Sequence, residues 1–198
     1  MEHNKLAIVI ANYNGKDDTL ECLKSLGSSD FKDFFVVLVD DCSPGKEKAI
    51  EADLLEKAGI TLDFKVEVIK TSGNLGFAGA NNVGIKKALE YAPEYVMLLN
   101  NDTTIEANAL SVLMNSFTES KLIAAPVILQ ENNRKTIWAA GLEYNKEFMI
   151  YSNGQAGKNI ETIKGGKCGA LSFCACIMPA VVFEEVGMLD ESYFMYDE

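Results

Sequence analysis

Four short polar clusters carry the side chains of this chain best suited to chemistry. They are Asn12-Tyr13-Asn14-Gly15, Asp40-Asp41-Cys42-Ser43, the glycine loop from Ser72 to Asn82, and Asn100-Asn101-Asp102. Carboxylate and amide oxygens are hard donors that suit a divalent cation. A glycine-rich turn into a helix can bring backbone N–H groups up to an anion. Each cluster alone has a plainer reading. Asp40-Asp41 ahead of Ser-Pro-Gly can make a turn and cap a helix, and Asn-Asn-Asp can be a polar turn. The glycine loop, with Gly73, Gly76, Gly79 and Gly84, matches neither G-x-G-x-x-G nor the P-loop.

The elements around these clusters give them a common place. Leu6 to Ala11, Phe34 to Val39, Phe64 to Ile69 and Tyr95 to Leu99 are apolar runs that read as strands, each running into one of the four clusters. Their continuous hydrophobicity suits a parallel sheet covered on both faces. Between them lie helix-period segments. One carries Leu20, Leu23 and Leu26 with Gly27 behind, and a second spans Lys46 to Ala58. A third places Phe77, Ala80, Gly84, Ala88 and Tyr91 on one stripe, with Lys86, Lys87 and Glu90 left largely to solvent. A fourth is expected to start at Thr103-Thr104-Ile105-Glu106, which has capping-box spacing, and to bury Leu110, Leu113, Met114 and Phe117. After Pro126 come polar turns, an apolar run from Ala170 to Met178, and a helical stretch from Val181 to Val186. In open parallel sheets ligands bind where the strands' carboxyl ends meet helix N-termini, so the four clusters are expected to form one site.

Composition narrows the ligand. The chain of 198 residues suits one domain, and 29 acidic against 18 basic residues, a net charge of -11, argues against a nucleic-acid partner. The five cysteines form no C-x-x-C and no zinc spacing, which reads as reduced, mostly buried thiols in a cytoplasmic protein. No run of 18 apolar residues is present, so no membrane span is expected in this segment. His3, the only histidine, sits in the N-terminal tail and is set aside as a catalyst.

The blocks IVIANYNG, VLVDDCS, NLGFAGANNVG, YVMLLNND and VFEEVGMLDESYFMYDE, in that order and spacing, resemble a family 2 glycosyltransferase of the rhamnosyltransferase-like subgroup. The resemblance implies the α/β GT-A fold, a Rossmann-like mostly parallel sheet with helices on both faces and a smaller mixed β region in the second half. Residues 1–104 would be the nucleotide-binding half and residues 105–198 the sugar and acceptor half, C-terminally incomplete, of a single domain. It implies inverting transfer of a sugar from a nucleotide-diphosphate donor to a polysaccharide or lipid-linked acceptor, in cell-surface polysaccharide synthesis. Asn12, Tyr13 and Asn14 would form the first nucleotide-contacting loop, with Asp40 beside them and Asp41 accepting a hydrogen bond from the base. Asn74, Gly76, Phe77, Gly79 and Asn81 would line the donor, the helix N-terminus facing its anion. Asn100 and Asn101 would join them, with Asp102 matching the last residue of the metal-binding Asp-x-Asp and meeting Mg²⁺ or Mn²⁺. Asn100 stands where that motif has its first Asp, so metal binding is expected to lean on the bound diphosphate.

The resemblance breaks at two places. The family's base is the Asp of a Glu-Asp pair. Glu198 matches the Glu, and the chain stops one residue short, leaving Asp197 or Glu198 as poorly held substitutes at a free terminus. The chain therefore reads as truncated, expected to bind donor yet transfer sugar poorly, with any membrane association at the inner face carried by residues beyond it. Phe173 replaces a small residue near the sugar, which leaves donor identity open. A non-catalytic nucleotide-sugar binding or scaffold domain is the rival reading. A nucleotidyltransferase ranks last, since IANYNG offers no basic triphosphate loop.

Overall fold

The computed structural model describes residues 4–45, 50, 61–117, 123–145, 147 and 150–194. The helix expected over 46–58 falls, apart from Ile50, outside the described residues, as do His3, Asp197 and Glu198.

Four parallel strands and one antiparallel strand make the central sheet. They are β1 (Leu6–Asn12), β2 (Phe34–Asp40), β3 (Val66–Lys70), β4 (Tyr95–Leu99) and, after four short strands, β9 (Ala175–Pro179), in the order β3-β2-β1-β4-β9. Strands β1 and β2 lie inside the sheet and are buried almost throughout, which is why their sequences are apolar on both faces. Their register sets Asn12 beside Asp40, and Asp40 in turn beside Lys70. All four parallel strands thus discharge their polar loops at one edge. Strand β9 enters antiparallel, pairing Leu99 with Ala175. The second half adds two antiparallel ribbons, β5 (Ile128–Gln130) with β6 (Asn133–Ala139) and β7 (Glu143–Asn145) with β8 (Ile150–Ser152).

Helices cover both faces, as expected. On one, α1 (Lys16–Gly27) and α3 (Ala109–Ser116) bury Cys22, Leu23, Leu26, Leu110, Leu113 and Met114 against Ile8, Ile10, Val36 and Leu38. On the other, α2 (Gly76–Leu89) and α4 (Val181–Glu185) place Ala80, Ile85, Ala88 and Phe183 against Val9, Val37, Val39 and Leu98. Helix α2 is buried more widely than one stripe, because small residues let it sit low on the sheet. At Gly84 a Cβ would stand 2.4 Å from Val9 Cγ1 and 3.1 Å from Val39 Cγ2.

Two expectations change. The capping-box residues do not start a helix: α3 begins at Ala109, and Thr103 Oγ1 sits 3.3 Å from Cys174 Sγ while the Ile105 N–H donates to Ser25 Oγ at 3.0 Å. These groups tie the loop after β4 to β9 and α1, which outweighs local capping. Lys87 is only partly in solvent. It pairs with Glu67 at 3.1 Å and Glu90 at 2.8 Å, beside the Tyr91 ring. All five cysteines are free, with Cys22 and Cys176 buried and Cys168 exposed. Burial pushes both buried thiols up to about 12, Cys22 also feeling the Asp102 charge.

Gly84→Val forces branched methyls into the Val9–Val39 contact. Overpacking of this kind costs about 1–3 kcal/mol, and a lowered urea midpoint at unchanged m-value is the expected result.

Candidate functional site

The carboxyl edge of the sheet is organised around one buried side chain. Asn12, the last residue of β1, is 0% exposed. Its Nδ2 donates to Asp40 Oδ2 at 3.1 Å and Ser43 Oγ at 3.2 Å. Its Oδ1 accepts from the Gly15 N–H at 3.0 Å, Thr19 Oγ1 at 3.2 Å and Asn101 Nδ2 at 3.2 Å. Every hydrogen-bonding position of this amide is in use. Asn12 was expected to contact nucleotide. Its side chain instead ties the loops after β1, β2 and β4 together.

Asp40 is equally inward, 0% exposed, accepting also from the Ser43 N–H at 2.9 Å and the Ile50 N–H. Asp41, 3% exposed, takes a part that the sequence did not reveal. Its carboxylate accepts from Thr71 Oγ1 at 2.9 Å, from the Leu75 N–H on both oxygens at 2.9 and 3.0 Å, and from the Gly76 N–H at 3.0 Å. It caps α2 from a different strand, and a carboxylate is the stabilising charge at a helix N-terminus. With both oxygens so engaged, Asp41 is not presented to a nucleotide base in this conformation.

The glycine loop differs from expectation for the same reason. Asp41 takes the first N–H groups of α2, Asn74 Oδ1 also accepts from Gly76 at 2.9 Å, and the Phe77 N–H donates to the Phe194 carbonyl at 2.9 Å. A protein carboxylate and a protein carbonyl thus fill the place foreseen for a donor anion. The glycines serve close approach. Gly76 has φ +73°, in the region that favours glycine, and a Cβ there would lie 2.5 Å from the Phe194 carbonyl oxygen. One at Gly79 would lie 2.7 Å from Leu75 Cβ. Asn81 bonds back within the helix, to the Phe77 carbonyl at 2.9 Å.

What remains turned outward is a smaller set. Tyr13 is 49% exposed beyond the end of β1. Asn14 is not among it: with φ +66° it donates its N–H to Ser43 Oγ at 2.9 Å, and its Oδ1 is buried with no partner among the described residues. Asn100 is half-buried, anchored through its N–H to the Cys174 carbonyl at 2.8 Å. Asn101 turns inward to Asn12. Asp102 is exposed, with no hydrogen bond or ion pair to another described residue. Among the described residues no group of three or more His, Cys, Asp or Glu could hold a metal. The donor set therefore fits a hard cation only as one carboxylate sharing it with oxygens of a ligand.

Asn82 was missed by sequence reasoning. This buried residue donates through Nδ2 to the Leu189 carbonyl and Glu191 Oε1, both at 2.9 Å, and accepts the Leu189 N–H at 3.0 Å. It clamps the strap from Leu189 to Phe194 along α2. A second asparagine in an Asn-Asn pair gives no local signal for a partner more than a hundred residues away.

Residues 7–187 match glycosyl transferase family 2. The dTDP-rhamnosyl transferase RfbF of Shigella flexneri is 27% identical over 199 residues, 98% of this chain and 60% of that protein. Among solved structures, S. aureus TarS superposes with a TM-score of 0.66 at 20% identity, over 97% of this chain and 31% of that one. The mannosyltransferase PcManGT from Pyrobaculum calidifontis, in complex with GDP-Man and Mn²⁺, gives 0.62 at 15% identity, over 94% and 48%. The chain spans from 16% to 60% of the length of the curated relatives it matches.

Asn82→Ala leaves the Leu189 amide and carbonyl without their partner. Deleting one partner of a buried hydrogen bond costs about 1–3 kcal/mol. Faster amide exchange at Leu189 and Phe77, with strands β1 and β2 unchanged, is the expected readout.

Proposed function

The chain belongs to glycosyl transferase family 2, and we propose that it binds a nucleotide-diphosphate sugar across the carboxyl edge of the sheet and passes the sugar, with inversion, to a glycan or lipid-linked acceptor. The observation that carries this reading is Asp102. It is an exposed carboxylate with no hydrogen-bond or ion-pair partner among the described residues, in the loop after β4, at an edge where Asp40 and Asp41 are both buried and engaged. Exposed carboxylates are common in a chain of net charge -11, and what distinguishes Asp102 is its place at the ligand-facing edge of the sheet, where it is free to share a cation. That PcManGT was solved with GDP-Man and Mn²⁺, and TarS with UDP, supports a metal and a nucleotide donor for this chain.

The residues divide the work as follows. Asp102 would hold Mg²⁺ or Mn²⁺ together with the donor diphosphate. The cation, when bound, neutralises charge on the departing nucleotide diphosphate. Tyr13 offers an exposed ring for the base, and Asn14 stands beside it in the same loop. Residues 1–104 supply this nucleotide half, and residues 105–198 the sugar and acceptor half. In the transfer the acceptor oxygen bonds to the anomeric carbon as the bond to the diphosphate breaks, and a carboxylate base takes the acceptor proton. The strap, clamped by Asn82, leads the chain toward the motif that matches the family's base. The whole protein's place is cell-surface polysaccharide synthesis on the cytoplasmic side.

Calorimetric titration with UDP, dTDP and GDP, each with and without Mn²⁺, tests the reading. Metal-dependent binding of one nucleotide is expected. Asp102→Ala should weaken it by at least about tenfold, equivalent to about 1.4 kcal/mol. Absence of binding to all three, or binding indifferent to Mn²⁺ and to Asp102→Ala, overturns it.

A further inference from the structure

We infer that Asn101 is the positioning residue for Asp102, and that residue 15 is a glycine because the Asn101 amide occupies the space a side chain would need. The inference rests on the metal role proposed above for Asp102.

The Asp102 side chain makes no hydrogen bond or ion pair among the described residues, so its place depends on the backbone of its neighbours. Asn100 is tied through its N–H to Cys174, and Thr103 returns an N–H to the Asn100 carbonyl at 3.3 Å. The third tether is the Asn101 side chain. Its Nδ2 lies 3.0 Å from Thr19 Oγ1, 3.2 Å from the Gly15 carbonyl and 3.2 Å from Asn12 Oδ1. The two hydrogens of one amide nitrogen are shared among these three acceptors. The acceptors come from the end of β1, the residue ahead of α1, and the first turn of α1. Asn12 is itself bonded to Asp40 at the end of β2. The residue before Asp102 is thereby referred to three elements of the rigid sheet edge. A group that orients a metal ligand from behind in this way commonly matters to metal affinity nearly as much as the ligand.

Gly15 supplies an independent observation. Its φ of -107° is ordinary for any residue, so no conformational reason requires glycine there. A Cβ at this position would lie 2.5 Å from Asn101 Nδ2 and 3.4 Å from Asn12 Oδ1. Alanine at position 15 is thus a steric probe of one contact. The Asn101 amide can make room only by giving up the bonds that hold it.

The test uses the full chain with UDP, dTDP and GDP as probes, with and without Mn²⁺, in Asn101→Ala, Gly15→Ala and the double variant. Each single variant should weaken the Mn²⁺-dependent part of nucleotide binding by about 10- to 100-fold, well beyond any change in metal-free binding. In the double variant Gly15→Ala should add nothing, because the amide it would strike is gone. Equal losses with and without metal, unaltered metal dependence in both single variants, or additive losses in the double variant overturn the positioning role. Wild-type binding that ignores Mn²⁺ overturns the metal role of Asp102, and the positioning role with it. Amide exchange at Asp102 and Thr103, measured without nucleotide or metal, separates the two ideas: acceleration in both single variants is expected, and unchanged exchange overturns the role of Asn101 whatever the nucleotides do.

Discussion

A buried amide at the end of β1 is the constraint on which the edge depends. Parallel strands deliver all their polar loops to one side of the sheet, and each loop brings backbone and side-chain groups that must be paired once buried. Asn12 meets that demand in both senses, donating to Asp40 and Ser43 and accepting from Gly15, Thr19 and Asn101. Aspartate there would lose the donors and set a second buried carboxylate against Asp40, while leucine would orphan partners in three loops. The chemistry of asparagine, with donor and acceptor on one short fork, is what lets a single residue hold β1, β2 and β4 in register at their working ends.

The same economy of internal pairing explains why the edge is not a simple anion cradle. Helix α2 has its N-terminus at the right place, yet Asp41 and the Phe194 carbonyl take its leading N–H groups. Negative charge at that helix end is supplied by the protein, so an anionic ligand must bring compensation from elsewhere. Among the parallel-strand ends, Lys70 is an exposed cation in register with Asp40, and Asp102 is a bare carboxylate. An edge so weighted toward carboxylates accommodates a diphosphate together with a divalent cation far better than a diphosphate alone.

Much of the fold was legible because it rests on period and punctuation. The apolar runs ending at Ala11, Val39 and Leu99 needed no tertiary information to read as buried strands; the first two fall one residue short of β1 and β2, and Tyr95 to Leu99 agrees with β4 residue for residue. The antiparallel entry of β9 was not legible, since the direction of pairing leaves no mark on a five-residue apolar run. Residue types located the site, but not which way each side chain faces. Asp40, Asp41 and Asp102 are the same residue at the ends of the two strands that flank β1, and only partners far along the chain, such as Leu75 and Gly76, turn Asp41 inward. The capping-box spacing at Thr103 misled for a related reason: Ser25 and Cys174 claim the groups that local sequence would assign to a helix start.

Helix α2 joins these observations into one mechanical unit. Its underside is set by Gly84 against Val9 and Val39, its start by Asp41, and its flank by the strap that Asn82 and Phe77 hold. These contacts sit on successive turns of one helix, so the helix cannot rise from the sheet without shifting both the cap from β2 and the strap. The loop that ends β2 and the strap from Leu189 to Phe194 are therefore fixed relative to each other through a shared rigid body, although they do not depend on any direct bond between them. Close packing makes such a body respond as a whole rather than yield locally. That coupling is how a glycine on the buried face of a helix comes to govern the geometry of a polar edge two turns away.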